Sequence, residues 1–560
     1  MADNQPRREP VAVQNFFDAV GETAQSNGHR KAVTASAAAS VLADSSVQVP
    51  QSVSMLLGKY KPEAHGAVLD SVLQGAAHYE REHGFAPDAT LTEFALHNAL
   101  QSTRPLAELT EGARVRLDNA TNVHHDQLSL QPATAMVAIM AQFAEAVPYA
   151  AYLPADVKSN EARLAILSNI AYSDFGDYLT SSSLDGVAGG GNYLDSERVC
   201  LLSTTGGAGP LAYTVTQKGS AAVGGIAVSG SNVAMPLLRG RTVILVNGLP
   251  SASEAANYSS GSNTIAGQVT IAGTSYALSG TVNTDTGVIS ITSAPALPGG
   301  AVVEALAYID FERAPTYAPK VGVDATVYKL FARPSRGIVQ NSMDAMTQMQ
   351  GELNLDPRGQ ALLSLRNQYA QERLYRANAK MKRIAGNLTD TWDYGYTAQI
   401  QQKTRPQIWT NLSPILSGLS QRMANATVDH GITTLFVTGE LAAQARGLTT
   451  DFWQPSGLVD RPGVYRLGKL FGLYDVYYTP KGLTETGGGI TSEILCIGRG
   501  TTVARNPIVM GDAVPPIFLP LAMGVDMVQG DGFYTRNFTE INPHLPSSQG
   551  AALISVINIK

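Results

Sequence analysis

The feature that most constrains the fold is one long amphipathic helix, predicted between Asp356 and Gly386. Asp356-Pro357 is a typical helix start, because aspartate caps free N–H groups and proline suits the first turn, and Gly386 is a typical stop. Apolar residues recur between them at alternating spacings of seven, four and three: Leu363, Ala370, Leu374, Ala377, Met381 and Ile384. This spacing predicts one apolar stripe on a helix roughly 40 Å long, with Glu372 and Arg376 paired on its exposed side. Such a helix is suited to act as a mechanical strut.

A change of composition marks a second region, residues 205–313. Gly, Ser, Thr, Ala and Val dominate it, and Lys and Arg are rare. Residues 302, 304, 306 and 308 alternate as one face of a strand requires, and Asn283–Gly287 is a predicted turn. We interpret the region as an all-β domain inserted into an α+β protein. Its predicted strands are Arg241–Val246, Gln268–Ala272, Ser275–Ser279, Val288–Thr292 and Val302–Ile309.

Hydrophobic periodicity predicts further elements outside these two regions. Thr90 is the expected cap of the third helix, and Thr433–Val437 is a predicted buried strand. The predicted helices are Met55–Tyr60, Ala67–His83, Leu91–Leu100, Met136–Val147, Asn160–Tyr172, Asn411–Met423 and Glu440–Arg446.

The chain of 560 residues is long enough for several domains, each with its own core. Its first residues are polar and rich in Ala and Ser, so we expect a flexible start. The expected order is a flexible segment (1–50), an N-terminal helical region or arm (51–135), an arm and loop region (136–204), the inserted β domain (205–313), the strut-helix domain (314–405), a further α/β domain (406–510) and a C-terminal return (511–560).

Charge is sparse, since only 15% of the residues are charged against roughly 25% in an average protein. Either a large core or extensive contact with neighbouring subunits would explain this low share of charged residues. Charged residues are depleted at the centres of protein–protein interfaces. A monomer merely rich in Ala, Ser and Gly is the other interpretation. The net charge of −6 and scattered basic residues disfavour direct gripping of nucleic acid, which needs clustered Lys and Arg.

No targeting, membrane or disulfide signal is evident in the sequence. The chain opens on a polar stretch, and its most apolar segment, Ala133–Leu153, is interrupted by Gln142, Glu145 and Pro148. We therefore expect a soluble protein. Cys200 and Cys496 are too few for a disulfide framework, which indicates folding in a reducing compartment.

Two glycine motifs imitate nucleotide-binding loops. Gly463 to Lys469 matches the start of a phosphate-binding loop, but Leu470 stands where Ser or Thr is required, and the segment looks like a strand. Gly207 and Gly209 resemble a dinucleotide fingerprint but run through Pro210 into a predicted strand. We expect neither to bind a nucleotide.

Histidines offer no better case for chemistry. His124-His125-Asp126 is interpreted as a polar loop, because adjacent residues point in different directions and no partner cluster has metal-ligand spacing. His78 and His83 lack zinc-protease spacing and are interpreted as a solvated helix face. The sequence predicts no catalytic, cofactor-binding or metal site, and hence no enzyme.

Two tripeptides, Leu91-Thr-Glu93 and Leu109-Thr-Glu111, match a short apolar-x-Glu pattern at which processing proteases cut. Such tripeptides also arise by chance. We therefore expect the chain to stay uncut.

The order of several segments resembles the major capsid proteins of tailed bacteriophages, with the variant of T-even and large phages closest in character. Tyr328–Gly386 is similar to the region before and within their spine helix, Ile432–Gly439 to a strand-helix step of their A domain, and Gly463–Tyr477 to a turn before an edge strand. Phe175–Thr180 and Ala133–Leu153 are similar to the part that leads from the N-terminal arm to the extended loop.

The resemblance implies the Hong Kong 97-type fold, with an N-arm, an E-loop, a P domain carrying the spine helix and an A domain. It implies a head protein forming hexamers and pentamers of an icosahedral or elongated shell around double-stranded DNA, assembled in the host cytoplasm. Decoration or cement proteins, a scaffold and a portal are the implied partners. A tail sheath or tube protein and an encapsulin-like nanocompartment shell remain the alternatives.

Overall fold

The computed structural model describes residues 9–26, 29–30, 32–44, 46–102, 132–157, 159–218, 233–255, 261–342, 344, 348, 357–395, 403–487, 490–521 and 528–559. Within these residues the chain is α+β and divides into two compact units. Unit 1 comprises residues 1–166 and 327–560, and unit 2 comprises residues 167–326.

The described helices lie almost entirely in unit 1, and none of them is both long and apolar enough to cross a membrane. In chain order they are α1 (Pro10–Ala24), α2 (Ala35–Ala43), α3 (Gln51–Leu57), α4 (Pro62–His83), α5 (Ala89–Ser102), α6 (Pro132–Ala144), α7 (Pro357–Ala385), α8 (Arg405–Thr410), α9 (Leu412–Thr427), α10 (Gly439–Arg446) and α11 (Leu545–Ser548).

The strands are shared between the two units. In unit 1 and at its boundary they are β1 (Gln25–Ser26), β2 (His29–Arg30), β3 (Ala150–Tyr152), β4 (Glu161–Ala171), β13 (Val321–Phe331), β14 (Arg333–Ser342), β15 (Thr389–Asp393), β16 (Gly431–Val437), β17 (Trp453–Pro455), β18 (Tyr465–Leu470), β19 (Tyr474–Tyr478), β20 (Glu485–Thr486), β21 (Thr491–Arg499), β22 (Ile508–Pro520), β23 (Val528–Ile541) and β24 (Ala551–Ile557). In unit 2 they are β5 (Glu197–Ser203), β6 (Leu211–Thr214), β7 (Val243–Val246), β8 (Leu249–Glu254), β9 (Ser262–Ile271), β10 (Thr274–Asn283), β11 (Val288–Ala294) and β12 (Val303–Tyr308).

The N-terminal part of unit 1 is a cluster of helices, α1 to α6. The expected flexible segment 1–50 is wrong over α1 and α2, where Val13, Phe16 and Val20 are buried in the main core. Helix α5 is buried on every side from Leu91 to Gln101. It begins at Ala89, so Thr90 lies inside the first turn and is not the cap.

Two sheets build the rest of unit 1. The larger has the order β15-β24-β21-β16-β19-β18-β17, with β20 added to β21. Helices α8 to α10 pack with it in a core that contains all three tryptophans, Trp392, Trp409 and Trp453. The predicted strand Thr433–Val437 and the two predicted helices of this region are confirmed as β16, α9 and α10.

The smaller sheet has the order β14-β23-β22-β3. Strand β22 pairs with β23 through a register shift between Asp512 and Val514, which is a β-bulge. Just before it, a side chain on Gly511 would place a Cβ 1.9 Å from the Leu153 carbonyl oxygen. The backbone of β22 at Gly511 therefore lies closer to the backbone of Leu153 than any residue with a side chain would allow.

The predicted long helix is confirmed as α7, from Pro357 to Ala385, and Asp356 lies outside the described residues. The apolar stripe differs in detail, because Leu363 is 56% exposed and Ala370, Leu374 and Ile384 are only partly buried. The buried line runs instead through Tyr369, Arg373, Ala377, Met381 and Ala385. The side chain of Glu372 accepts a hydrogen bond from Gln368 instead of pairing with Arg376.

The predicted helix Asn160–Tyr172 is wrong, because these residues form strand β4. Ala162, Leu164 and Ile166 are buried and alternate with exposed neighbours, which is the period of a strand. Asn160 has a φ of 56°, in the left-handed region, so the chain cannot enter a right-handed helix there. The predicted helix Met136–Val147 is present as α6 but ends at Ala144, and the chain continues into β3.

Unit 2 is an antiparallel eight-stranded sheet with the order β5-β12-β7-β8-β9-β10-β11-β6. All five predicted strands are present, and the predicted turn is made by Gly287 (φ 69°) and by Asn283, whose side chain accepts from the next N–H groups. In β12 the buried residues are Val303, Ala305 and Ala307. The unit starts earlier and ends later than the block 205–313, because β5 pairs with β12.

Candidate assembly surfaces

Strand β13 carries an apolar face that a single chain leaves in solvent. Because side chains alternate along a strand, the odd-numbered residues of β13 share one face. The exposed residues on this face include one charged residue, Lys329. The apolar ones are Val321, Val323, Val327 and Phe331, each more than half exposed, and Ala325 between them, which is exposed as well. We call these five apolar residues the β13 apolar face. Exposed apolar side chains in such a row are typical of a surface that another protein covers.

The pairing partner of β13 is β4, and the two form a two-stranded sheet. Such a ribbon is marginally stable by itself in water, but here it is held at both ends. In unit 1 the Ala332 N–H donates to the Asn160 carbonyl (2.9 Å) and Lys329 lies 3.7 Å from Glu161. In unit 2 the Tyr172 N–H donates to the Lys320 carbonyl (2.7 Å). Each end of the ribbon is therefore hydrogen-bonded within its own unit.

A second exposed surface of unit 1 involves β14 and the first turns of α7. Strand β14 is the last strand in its sheet order, and Ile338 on it is 65% exposed. Gly337 lies against Leu365 of α7, two residues from the exposed Leu363. An edge strand with apolar side chains is a surface that invites pairing with another chain.

A loop in unit 1, residues 456–464, projects an 83% exposed Val459. It is tied down on two sides. Arg446 of α10 donates to Asp460 (2.7 Å), and Arg461 pairs with Glu82 of α4. The loop is thus an ordered projection.

A cavity of about 370 Å³ lies next to this loop, lined by residues of α4, α6, α7, β16 and β19. His83 and Tyr477 meet there, with the ring Nδ1 3.0 Å from the tyrosine hydroxyl. Burial lowers the pKa of His83 to about 4. The interpretation of His83 as part of a solvated face is therefore wrong, and the residue is a neutral, packed histidine.

The motifs that imitate catalytic or binding sites do not assemble into one. Gly468, Lys469 and Leu470 lie in strand β18, with no helix N-terminus to receive a phosphate. Gly207 and Gly209 lead into strand β6. His124, His125 and Asp126 lie outside the described residues. Within the described residues, no group of three or more His, Cys, Asp or Glu side chains could hold a metal ion.

Both cysteines are free and buried, in different units. Burial raises the pKa of the Cys200 thiol to about 12 and raises that of Cys496 as well. A thiol held neutral in this way is a poor nucleophile.

The first of the two candidate cleavage sites, Leu91-Thr-Glu93, lies within the buried helix α5. The carboxylate of Glu93 accepts a hydrogen bond from the Glu9 N–H (2.8 Å). A protease could reach this bond only after the helical cluster unfolded. The second site, at Glu111, lies outside the described residues.

A buried set of polar residues in unit 1 was not foreseen from the sequence. Arg373 of α7 lies 2.9 Å from Asp512 of β22, and Asn98 of α5 donates to both Asp512 (3.2 Å) and Gln142 of α6 (2.8 Å). All four side chains are buried, and Asp512 is fully so. Burial raises the pKa of Asp512, and Arg373 opposes this shift. We call these four residues the buried quartet.

Comparison with known proteins gives matches to solved structures alone. No protein-family model matches the chain, and no curated protein matches it. The jumbo bacteriophage PhiKZ capsid is 11% identical, with a TM-score of 0.38 over 73% of this chain and 91% of that one. The Ralstonia phage GP4 capsid is 10% identical, with a TM-score of 0.29 over 43% and 77%.

The matched structures are mostly phage capsids. A Synechococcus elongatus encapsulin complex also matches, at 11% identity and a TM-score of 0.27 over 42% of this chain and 79% of that one.

Proposed function

We propose that this chain is the major capsid protein of a tailed bacteriophage, a shell subunit whose function lies in its contacts with copies of itself. The β13 apolar face is the observation that carries the proposal. Its five apolar residues are held in place at both ends of the strand yet exposed in the single chain. A monomeric protein has no physical reason to maintain such a strand face in water.

In this proposal the parts of the Hong Kong 97-type fold have definite counterparts. The β4–β13 ribbon is the E-loop, α7 is the spine helix of the P domain with the sheet around β22 and β23, and the larger sheet is the A domain. Unit 2 is the inserted β domain, reached along β4 and left along β13. The helical cluster of α1 to α6 takes the place of an extended N-arm.

Assembly would follow from repeated burial of modest surfaces. The four large residues of the β13 apolar face are about half exposed, so covering them is worth roughly 1 kcal/mol each at 25 cal/mol per Å² of apolar area. One such contact is weak, but closed symmetry repeats it at every subunit. The shell would be built of hexamers and pentamers around double-stranded DNA, and no step in this function needs a catalytic residue or cofactor.

The partners and location belong to the proposal as well. The subunit would lie in the virion after assembly in the bacterial cytoplasm, near packaged DNA without gripping it. Decoration, scaffold and portal proteins are expected partners. An encapsulin-like shell is the second candidate, since it would use the same exposed strand face; nuclease-protected DNA inside particles purified from infected cells separates the two.

The test is negative-stain microscopy of the expressed chain and of two matched variants. Val323→Lys places a charge on the β13 apolar face, and Thr326→Lys places the same charge on the opposite, exposed face of the same strand. We expect shells or hexamers from the parent and from Thr326→Lys, and folded but unassembled chains from Val323→Lys. Shells from Val323→Lys with parental yield and shape, or helical tubes from the parent, would overturn the proposal.

A further inference from the structure

We propose that the buried quartet (Asn98, Gln142, Arg373 and Asp512) is a register lock for the spine helix: it fixes α7 at one position along its axis and so positions the exposed end of α7 for shell assembly. The inference rests on the proposed function for its second half. The first half concerns the fold of unit 1 alone.

The spacing of the buried residues of α7 does not by itself define the register of the helix. Its buried line repeats every four residues, at positions 369, 373, 377, 381 and 385. A helix moved by four residues, about 6 Å along its axis, would present a line of the same spacing to the sheet. Tyr369 or Ala377 would then lie where Arg373 lies now. Tyr369 and Met381 are larger than Ala377 and Ala385, so the shifted line would also be mispacked. This packing cost is smaller than the cost of leaving a buried charge without its partner.

Arg373 is the member of this line that cannot be exchanged. Its guanidinium meets a carboxylate that is fully buried, 2.9 Å from Asp512. In a helix shifted by four residues, the phenol of Tyr369 or the methyl of Ala377 would face Asp512, and the buried carboxylate would lose its cation. Breaking a buried pair in this way is strongly unfavourable, because an uncompensated charge stays out of water.

The rest of the quartet holds Asp512 itself at one position. The register of β22 shifts directly after Asp512, and the Asn98 side chain of α5 donates a hydrogen bond to the Asp512 carboxylate. Asn98 in turn donates to Gln142 of α6. The carboxylate that receives Arg373 is therefore fixed relative to β22 and to two helices of the N-terminal cluster.

The quartet is poorly suited to add stability, which favours a role in specificity. Among the described residues, the Asn98 amide oxygen and the Gln142 amide nitrogen are buried without hydrogen-bond partners. A buried polar network that is only partly satisfied costs more than an apolar core of the same shape. A polar residue that fixes the register of packed helices at a cost in stability is an attested device.

The register of α7 matters for assembly because its first turns are exposed. Leu363 near the start of the helix is 56% exposed, and Leu365, two residues later, lies against Gly337 of β14. A four-residue displacement would move this end by about 6 Å relative to the edge strand. Copies with mixed registers would then present mismatched surfaces, and a shell built from them would not close with one diameter.

The experiment replaces the central pair with apolar residues of similar size, Arg373→Met with Asp512→Leu. We expect an unfolding midpoint at or above that of the parent, because both buried charges leave together. Register is read by zero-length carbodiimide cross-linking of two ion pairs on α7, Lys380 with Glu540 (2.5 Å) and Lys382 with Glu493 (2.6 Å). We expect both cross-links in the parent and a clear loss of both in the double variant.

Shell geometry supplies the second readout. We expect particles of one diameter from the parent and a mixed population from the double variant. Parental cross-linking in a folded double variant would overturn the register lock, whether or not shells form. Absence of shells from the parent, with the cross-links behaving as expected, would overturn the proposed function and leave the lock intact.

A milder variant keeps the test decisive if the double variant does not fold. Asn98→Leu leaves the ion pair in place and removes the link from Asp512 to α5 and α6. We expect a partial loss of the Lys380–Glu540 cross-link in a folded chain. Full parental cross-linking in Asn98→Leu would show that Asp512 does not need Asn98 to hold the register of α7. It would overturn the proposal that the four residues act together.

Discussion

The packed histidine at position 83 should make unit 1 sensitive to mild acid. Burial lowers the pKa of His83 to about 4 in the folded chain, whereas an unfolded histidine titrates near 6.5. As the pH falls, the unfolded chain binds this proton first. The contribution of neutral His83 to stability is therefore complete above pH 6.5 and is lost progressively between pH 6.5 and 4.

The size of the effect follows from linkage between proton binding and folding. With those two values, the free energy of unfolding falls by about 2 kcal/mol at pH 5 and about 3 kcal/mol at pH 4 relative to neutral pH. The substitution to test is His83→Asn, whose amide can still bond the Tyr477 hydroxyl but has no proton to bind in this range. The difference between parent and variant isolates His83 from all other groups.

Tryptophan fluorescence in urea is the suitable assay, because all three tryptophans lie in the core beneath the larger sheet of unit 1. Unfolding of the non-assembling Val323→Lys chain would be followed at pH 7, 6, 5 and 4, with and without His83→Asn. We expect the stability difference between the two to shift by the amounts given above. A difference that stays constant across this range would refute the reasoning, because it would mean that His83 binds its proton equally well in the folded chain.

Two further predictions concern the strut helix and unit 2. In the non-assembling Val323→Lys chain, Met381→Ala should lower the free energy of unfolding by about 2–5 kcal/mol, since Met381 is fully buried. Leu363→Ala, at an exposed position of the same helix, should change it by less than about 0.5 kcal/mol. Equal losses for the two variants in urea titrations would contradict the observed burial of α7. A chain in which a short linker replaces residues 173–319 should still assemble into shells visible by microscopy, because Tyr172 and Lys320 are already joined by a 2.7 Å hydrogen bond. Insoluble or purely monomeric protein would show that unit 2 is needed for assembly. An excision of residues 219–307 should fail, since it would leave β5 without β12.

What the sequence could predict was mainly local. The ends of α7 were evident from Asp356-Pro357 and Gly386, and the strands of unit 2 from their alternation and turns. Strand β4 was mistaken for a helix because Glu, Ala, Arg and Leu are good helix formers, and only tertiary contact made their period-two pattern decisive. The N-terminal helices α1 and α2 were missed because their polar, Ala-rich sequence gains its order from the shared core.

The features that matter most for function could not be read from local pattern. The members of the buried quartet are separated by up to hundreds of residues, and each is an ordinary polar residue within its own element. His83 looked solvated because its partner, Tyr477, lies on a strand almost four hundred residues away. Periodicity reports which face of an element is apolar, but it does not report which distant polar group that face will meet.

The β13 apolar face and the register lock are two parts of one physical requirement. A strand face of Val321, Val323, Ala325, Val327 and Phe331 is a hazard in solution, because exposed apolar strands pair with whatever reaches them. Charges on the same strand, Asp324 and Lys329, limit unspecific pairing. Charge alone does not select the correct neighbour, however. Selection needs surfaces that hold one geometry in every copy, and a helix whose register is fixed by a buried charge pair meets that need better than one held by apolar contacts alone.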